Sequence, residues 1–505
     1  MYSLLELCRR RCTDCWKNSV RSCSRLHPDT DYVLRHEDRI RTLNDTGSPE
    51  KGLHTVHVAG TKGKGSTVAF LERILLESGY RVGAYTSPSV RSVNELFRVD
   101  GVEATDEMVE RVLKEVRARV EGAGLRPSYF EVMTAVAFMR FREAQVDVAI
   151  LEAGLGAARD ATNVLDADTL DLGVVTGVGM EHVGALGGSI EEIARAKSGV
   201  FKEGKVGVVG AQGSASAEAV LLREASELRV TTYRVDAVVE YHVEEGGVVL
   251  GEGEGHGGGS QGIRNGVLFR VPEGLASAAF GERHEGAPWE FDAQLSLVGK
   301  HQASNAATAI ASALALKVES GYDKISEAAI VSGLERATTT TLPGRFQVID
   351  DVRLDEDGSK RILTIADGAH TKDSARCVAE TVQQLFPDSK LAVVVAMASD
   401  KDHEGFCSEI QKMQPNVVVF TETPIAGGRA RSVGPGALVG AWQVAKMKNR
   451  DVDRTWRCRE LIQANIQSAL AKARHELSGE ACSEAAPGII LVTGSLHACD
   501  AAMSG

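Results

Sequence analysis

The chain has 505 residues, 43% of them apolar and 25% charged, an ordinary folded composition at a length too great for one core. A net charge of −12 argues against a nucleic-acid partner and leaves no polybasic surface for a membrane. No apolar run is long enough to span a bilayer, and nine cysteines without a disulfide-like spacing fit a reduced compartment.

Residues 1–29 hold Cys8, Cys12, Cys15 and Cys23 among Arg9, Arg10, Arg11, Arg21 and Arg25. Cys12-x-x-Cys15 has zinc-ligand spacing, but no second pair follows to complete a site. The arginine-rich, acid-poor composition matches an organellar transit peptide, so the mitochondrion is the expected location and the cytoplasm the alternative.

The first strong pattern is a β-branched strand at 53–59 running into Gly60-Thr61-Lys62-Gly63-Lys64-Gly65-Ser66, with helical spacing resuming over 66–78. Strand, glycine turn and helix form the context of a phosphate-binding loop. Backbone N–H groups would face the phosphates, Lys64 adds a charge, and the Ser66 hydroxyl can approach Mg²⁺. The loop is irregular, because Val58 stands where a glycine is usual and Gly65 separates the lysine from the hydroxyl.

Apolar strands expected at 81–85, 146–151, 171–176 and 205–210 alternate with helices at 105–121, 130–144, 189–198 and 215–228. That rhythm predicts an α/β fold with a mostly parallel sheet and ligands at the carboxyl ends of its strands. Glu152 stands at such an end, the position of a Mg²⁺ ligand, with Gly154 and Gly156 permitting close backbone approach. His182 follows the next strand; its chemistry leaves its role open, since Mg²⁺ prefers oxygen. Lys197 lies among apolar and small residues of a helix, where a solvated lysine is the ordinary expectation.

Residues 231–297 read as short β segments around a Gly- and Glu-rich stretch at 246–262, expected to be a solvated loop. Helices are expected at 302–316 and 324–336, then a linker. A second α/β unit follows, with strands near 361–366, 391–397, 416–420 and 488–493. Pro343-Gly344-Arg345 puts a guanidinium at the junction, suited to a γ-phosphate. Asp367-Gly368-Ala369-His370 ends a strand, offering an acceptor for a ribose or amine and a donor for a phosphate. The expected organisation is 1–29, then 30–336 as a P-loop domain with an insertion at 244–266, a linker at 337–343, and 344–505 as a smaller Rossmann-like α/β domain.

The loop, together with Thr86-Ser87-Pro88, Phe130-Glu131, Glu152 with Gly154-Leu155-Gly156, Asp160-Ala161-Thr162-Asn163, Glu181-His182, Lys197-Ser198-Gly199, Asn305-Ala306, Pro343-Gly344-Arg345 and Asp367-Gly368-Ala369-His370, resembles the folylpolyglutamate/dihydrofolate synthase family of the Mur ligase superfamily. The likeness runs from about residue 30 to 500 and is greatest for plant-type dihydrofolate synthases. It implies an ATP-dependent ligase that joins L-glutamate to a dihydropteroate carboxylate through an acyl phosphate. The alternatives are γ-glutamate addition to a reduced folate and a catalytically impaired ATP-binding paralogue.

By the same resemblance Gly60, Thr61, Gly63, Lys64, Gly65 and Ser66 hold the phosphates, and Ser87, Glu152 and His182 hold Mg²⁺, with K⁺ a further expected ion. Lys197 matches a lysine that this superfamily carbamylates. Arg345 and His370 match γ-phosphate contacts, Asn305 and Asp367 adenosine contacts, and Phe130 and Glu131 the pterin side. A monomer is the expected state. The chain departs from the family pattern at Ser89, Asn94 and Leu96, in a loop bordering the acceptor, and at Glu181, where aspartate is usual.

Overall fold

The computed structural model describes residues 48–122, 125, 127–244, 249–252, 261–339, 342–354, 360–424, 431–449, 453, 455–478 and 486–504. The arginine-rich segment 1–29 lies outside them.

The strand expected before the glycine loop is β1, Thr55–Ala59, with every residue buried. Around it stand β2 (Val82–Tyr85), β3 (Phe97–Val99), β4 (Val102–Glu103), β5 (Val148–Glu152), β6 (Leu170–Val175), β7 (Val206–Val209) and β8 (Thr231–Arg234). Their order is β4-β3-β2-β5-β1-β6-β7-β8. Pairing is parallel from β2 through β8, and β3 and β4 add an antiparallel edge.

Alternation along each strand divides the core. On β5, Val148 and Ile150 face the cluster built on helices Lys64–Glu77, Lys300–Ser320 and Glu327–Arg336. Ala149 and Leu151 face the opposite cluster, under helices Asp106–Gly122 and Tyr129–Ala144. Period-two side chains covered on both faces explain why β5 carries apolar residues at successive positions from Val148 to Leu151. The carboxyl ends of β1, β5 and β6 reach one rim, which places Gly60, Glu152 and residues 176–182 side by side.

The short β segments expected over 231–297 are present, and they take in part of the 246–262 stretch expected to be a solvated loop. β9 (Glu240–Val243), β10 (Val249–Glu252), β11 (Gln261–Val271) and β12 (Trp289–Leu295) form a four-stranded antiparallel sheet. Residues 249–252 pair with 261–264, so backbone pairing, which needs no apolar side chains, overrode the Gly-rich composition there.

The last sheet contains β13 (Gln347–Arg353), β14 (Arg361–Ala366), β15 (Leu391–Val395), β16 (Val417–Phe420), β17 (Arg459–Ile462) and β18 (Gly488–Thr493), in the order β13-β14-β18-β15-β16-β17. Only β13 runs antiparallel. Its rim, at the end of β14, carries Asp367 and His370.

Candidate active site

Two glycines shape the turn after β1. Gly60 has φ +151°, and a Cβ there would lie 1.8 Å from Thr176 Oγ1. Gly63 has φ +88°, and its Cβ would lie 2.2 Å from Asn305 Oδ1. Gly63 caps helix Lys64–Glu77 with no side-chain hydrogen bond, so the first amides of the helix are left for a ligand. The turn is tied down from behind: the Thr61 amide donates to the Gly177 carbonyl at 2.8 Å, and the Thr176 hydroxyl donates to the Lys62 carbonyl at 2.7 Å.

Two ammonium groups converge on one oxygen. Lys64 Nζ donates to the Gly60 carbonyl at 3.2 Å, and Lys197 Nζ donates to the same carbonyl at 2.8 Å. Lys197 is only 4% exposed, which overturns the expectation of a solvated helix-face lysine. Burial first, and then the Lys64 charge, bring its amine down to about 7. Gly60 itself acts through this carbonyl, whereas Thr61, Gly63, Lys64, Gly65 and Ser66 line the cavity in front of it.

Glu152, at the end of β5, places Oε1 3.8 Å from Lys64 Nζ, and its Oε2 accepts the Ser87 amide at 3.2 Å. Burial raises its pKa, and Lys64 is the main opposing influence. His182 sits at φ +53°, a conformation rare for a non-glycine residue, and burial lowers its pKa, leaving a neutral imidazole with a free lone pair. Beside it Glu181 accepts from Lys62 Nζ at 3.2 Å and lies 4.0 Å from His370 Nε2. With His370 neutral, the approach of Glu181 to it is a contact between the two sheets and not an ion pair; nothing in the residues announces it beyond Glu181 being a longer acid than usual.

Arg345 points along the junction, its Nη1 donating to the Gly344 carbonyl at 3.2 Å. The Asp367 carboxylate accepts the Phe346 and Ala369 amides at 2.9 Å each, which fixes the loop while one edge lines the cavity. His370 Nδ1 lies 2.8 Å from the Gly368 carbonyl, and burial lowers its pKa to about 4, with the Lys62 charge contributing. Asn305 Nδ2 donates to Gln302 Oε1 at 3.0 Å, on helix Lys300–Ser320, whose first turn carries His301. His301, lowered to about 4 by burial and then by Arg345, is a wall residue to which no role was assigned from the sequence.

Phe130 closes the far wall, stacked on Tyr85 with centroids 5.8 Å apart. Gly154 is glycine for a steric reason: a Cβ would come within 2.6 Å of Phe130 Cζ. The expectation that Glu131 contacts substrate is corrected. Its carboxylate accepts the Ser128 amide at 2.7 Å in a capping box at the start of helix Tyr129–Ala144, and it is absent from the cavity wall. Ser89, Asn94 and Leu96 do line the cavity. Their loop is built around Glu95, which accepts the amides of Val90 and Arg91, and around Asn94 Nδ2, which donates to Asp106 at 2.7 Å.

These walls enclose one cavity of about 1140 Å³, with Lys64, Glu152 and His182 from the first rim and Arg345, Asp367 and His370 from the second. Among the described residues no three His, Cys, Asp or Glu side chains stand close enough to hold a metal by themselves. Glu152 and the Ser87 hydroxyl offer oxygens to a hard cation such as Mg²⁺, which keeps several waters and takes further oxygens from a phosphate, and His182 lines the same cavity. Among the described residues no helix is long and apolar enough to cross a membrane.

Comparison with known proteins agrees with this geometry. The Mur ligase middle domain matches residues 58–313, and the Mur ligase glutamate ligase domain matches residues 344–496. The chain is 33% identical over 371 residues to the dihydrofolate synthase/folylpolyglutamate synthase of Bacillus subtilis, covering 72% of this chain and 76% of that protein. The structure of FolC from Escherichia coli in complex with DHPP and ADP aligns with a TM-score of 0.72 at 25% identity, over 95% of this chain and 94% of that one. A bifunctional folylpolyglutamate synthase/dihydrofolate synthase with Mn, AMPPNP and L-glutamate bound aligns with a TM-score of 0.69 at 27% identity, over 96% of each chain. The chain belongs to the dihydrofolate synthase/folylpolyglutamate synthase family of the Mur ligase superfamily, and is an ATP-dependent acid–amino-acid ligase.

Proposed function

We propose that this enzyme joins L-glutamate to the carboxylate of dihydropteroate with consumption of ATP. The observation that carries the reading is the convergence of Lys64 with Arg345 and His370 on one cavity with an aromatic wall. A carboxylate is a poor electrophile, so its oxygen first takes the γ-phosphoryl group from ATP, giving an acyl phosphate and ADP. The glutamate amine then attacks the acyl carbon, phosphate leaves, and the amine proton passes to solvent or to a neutral base.

Lys64 and the uncapped helix amides bind the phosphates, while Arg345 and His370 approach the transferring group from the other sheet. Glu152, Ser87 and His182 would hold a divalent cation, which when bound offsets phosphate charge. For Lys197 we propose carbamylation. An amine near 7 is substantially unprotonated at neutral pH, and its nitrogen adds to CO₂ with loss of a proton. The product replaces a second ammonium beside Lys64 with a carboxylate.

One observation favours dihydropteroate over a polyglutamylated acceptor. Arg91, a cation of the acceptor wall, is already paired with Glu95 at 2.6 Å and Glu103 at 2.9 Å. A polyglutamate tail would need such cations free. Purified protein assayed with labelled L-glutamate and ATP against dihydropteroate and tetrahydrofolate tests this. Product with dihydropteroate is expected. Turnover only with tetrahydrofolate would make the enzyme a folylpolyglutamate synthase, and ATP binding without glutamate-dependent turnover would indicate an impaired paralogue.

A further inference from the structure

On β1, three residues before Gly60, His57 is fully buried where a central strand ordinarily carries an apolar side chain. Its Nε2 lies 2.7 Å from the Thr162 hydroxyl. That hydroxyl has one proton and donates it to Asp160 Oδ1 at 2.6 Å, on a carboxylate whose oxygens also accept the Thr162 and Leu155 amides. His57 Nε2 must therefore hold a proton and donate it to Thr162. Burial, with Lys202 the lesser cause, lowers the imidazole pKa to about 3, so the ring is neutral and its Nδ1 bare throughout the working pH range. No described group pairs with that Nδ1.

The chain of hydrogen bonds continues to the cavity. Asp160 also accepts the Thr162 amide at 3.0 Å and, through Oδ2, the Leu155 amide at 2.8 Å. Asp160 and Leu155 both line the cavity, and Gly154, next to Leu155, packs against Phe130.

We propose that His57 is a positioning residue for the acceptor wall, fixing the Asp160 carboxylate and the Leu155 amide through Thr162. This rests on the reading above that the acceptor lies on the Phe130 side. The phosphate loop has separate ties, from Thr61 to Gly177 and from Thr176 to Lys62, so loss of the relay leaves the ATP side in place. A histidine that merely filled the core would not separate the two substrates.

The test uses the full chain and two pairs of variants. His57→Leu removes the donor, and His57→Gln keeps an amide N–H at about the reach of Nε2. Thr162→Val and Thr162→Ser form the matching pair. The KM for dihydropteroate is expected to rise about tenfold in the Leu and Val variants while the KM for ATP stays within about twofold, and Gln and Ser should restore the acceptor KM. Equal rises in both KM values, or failure of Gln together with Leu, would overturn the proposal. Nitrogen NMR of the wild-type imidazole supplies a readout independent of turnover and of variant folding. A neutral ring protonated on Nε2 is expected, and a proton on Nδ1 would overturn the relay. A wild-type chain that turns over no acceptor would instead overturn the proposed function, with the tautomer still testing the relay.

Discussion

The ends of β1 and β14 look alike in outline and do opposite work. Each strand runs into a short turn and then a helix facing the same cavity. After β1 the helix begins at Gly63 with no side-chain cap, so its amides are left for phosphate. After β14 helix Lys372–Leu385 begins at Thr371, whose hydroxyl accepts the Ser374 amide in a capping box. The second turn therefore presents side chains, Asp367 and His370, in place of backbone donors. The general lesson is that one topological device becomes an anion cradle or a side-chain platform according to who caps the helix.

The sharpest break in that comparison comes from Lys197, behind the first turn. Lys197→Ala should lower kcat by about 10³-fold with the thermal midpoint held, and steady-state rates alongside a melting curve check it. Removing His370 from the second platform is expected to cost about 10²-fold in kcat with smaller change in ATP KM. Gly63→Ala places a methyl against Asn305 at positive φ, so ATP KM should rise about tenfold or more, measurable by nucleotide titration. Thr371→Ala should cost about 1 kcal/mol in urea unfolding and lower kcat by no more than about fivefold, the smaller effect arising because the Thr371 hydroxyl also meets Ser374 Oγ, which accepts the His370 amide at 3.1 Å.

The Lys197 amine adds a pH dependence. Its folded pKa of about 7 lies below the unfolded value, so between these values the unmodified folded chain binds fewer protons than the unfolded one. Stability of bicarbonate-depleted protein should therefore rise with pH from about 7 toward about 10. At a fixed concentration of dissolved CO₂, recovery of activity should be faster at pH 8 than at pH 6, since only the free amine adds CO₂.

Legibility followed the length and apolarity of each element. The strands before Gly60, at Glu152 and before Asp367 are buried on both faces, and their high Val, Ile, Leu and Ala content announces them despite Thr55, His57 and Thr364. β3 and β4, at three and two residues, are too short to show a period. β13 carries Asp350 and Asp351 and β17 carries Arg459 and Glu460, as polar edge strands do, and neither was anticipated. At the site, residues on strand ends were readable because the topology sends every such end to one rim. Lys197 was known to match a family lysine, but its burial depends on Lys64 and Gly60, which are distant in sequence. Glu131 was misread because a capping glutamate and a substrate-binding one share a helix first turn. The Lys62–Glu181 ion pair and the contact of Glu181 with His370 join three separate segments, and no local pattern encodes them.

The central claim is that the acceptor carboxylate is activated by phosphoryl transfer from ATP. It is tested most directly with dihydropteroate labelled with ¹⁸O in the carboxylate, incubated with the enzyme, ATP and L-glutamate. One ¹⁸O atom should appear in the released phosphate for each amide formed. Amide formation with unlabelled phosphate would contradict the account.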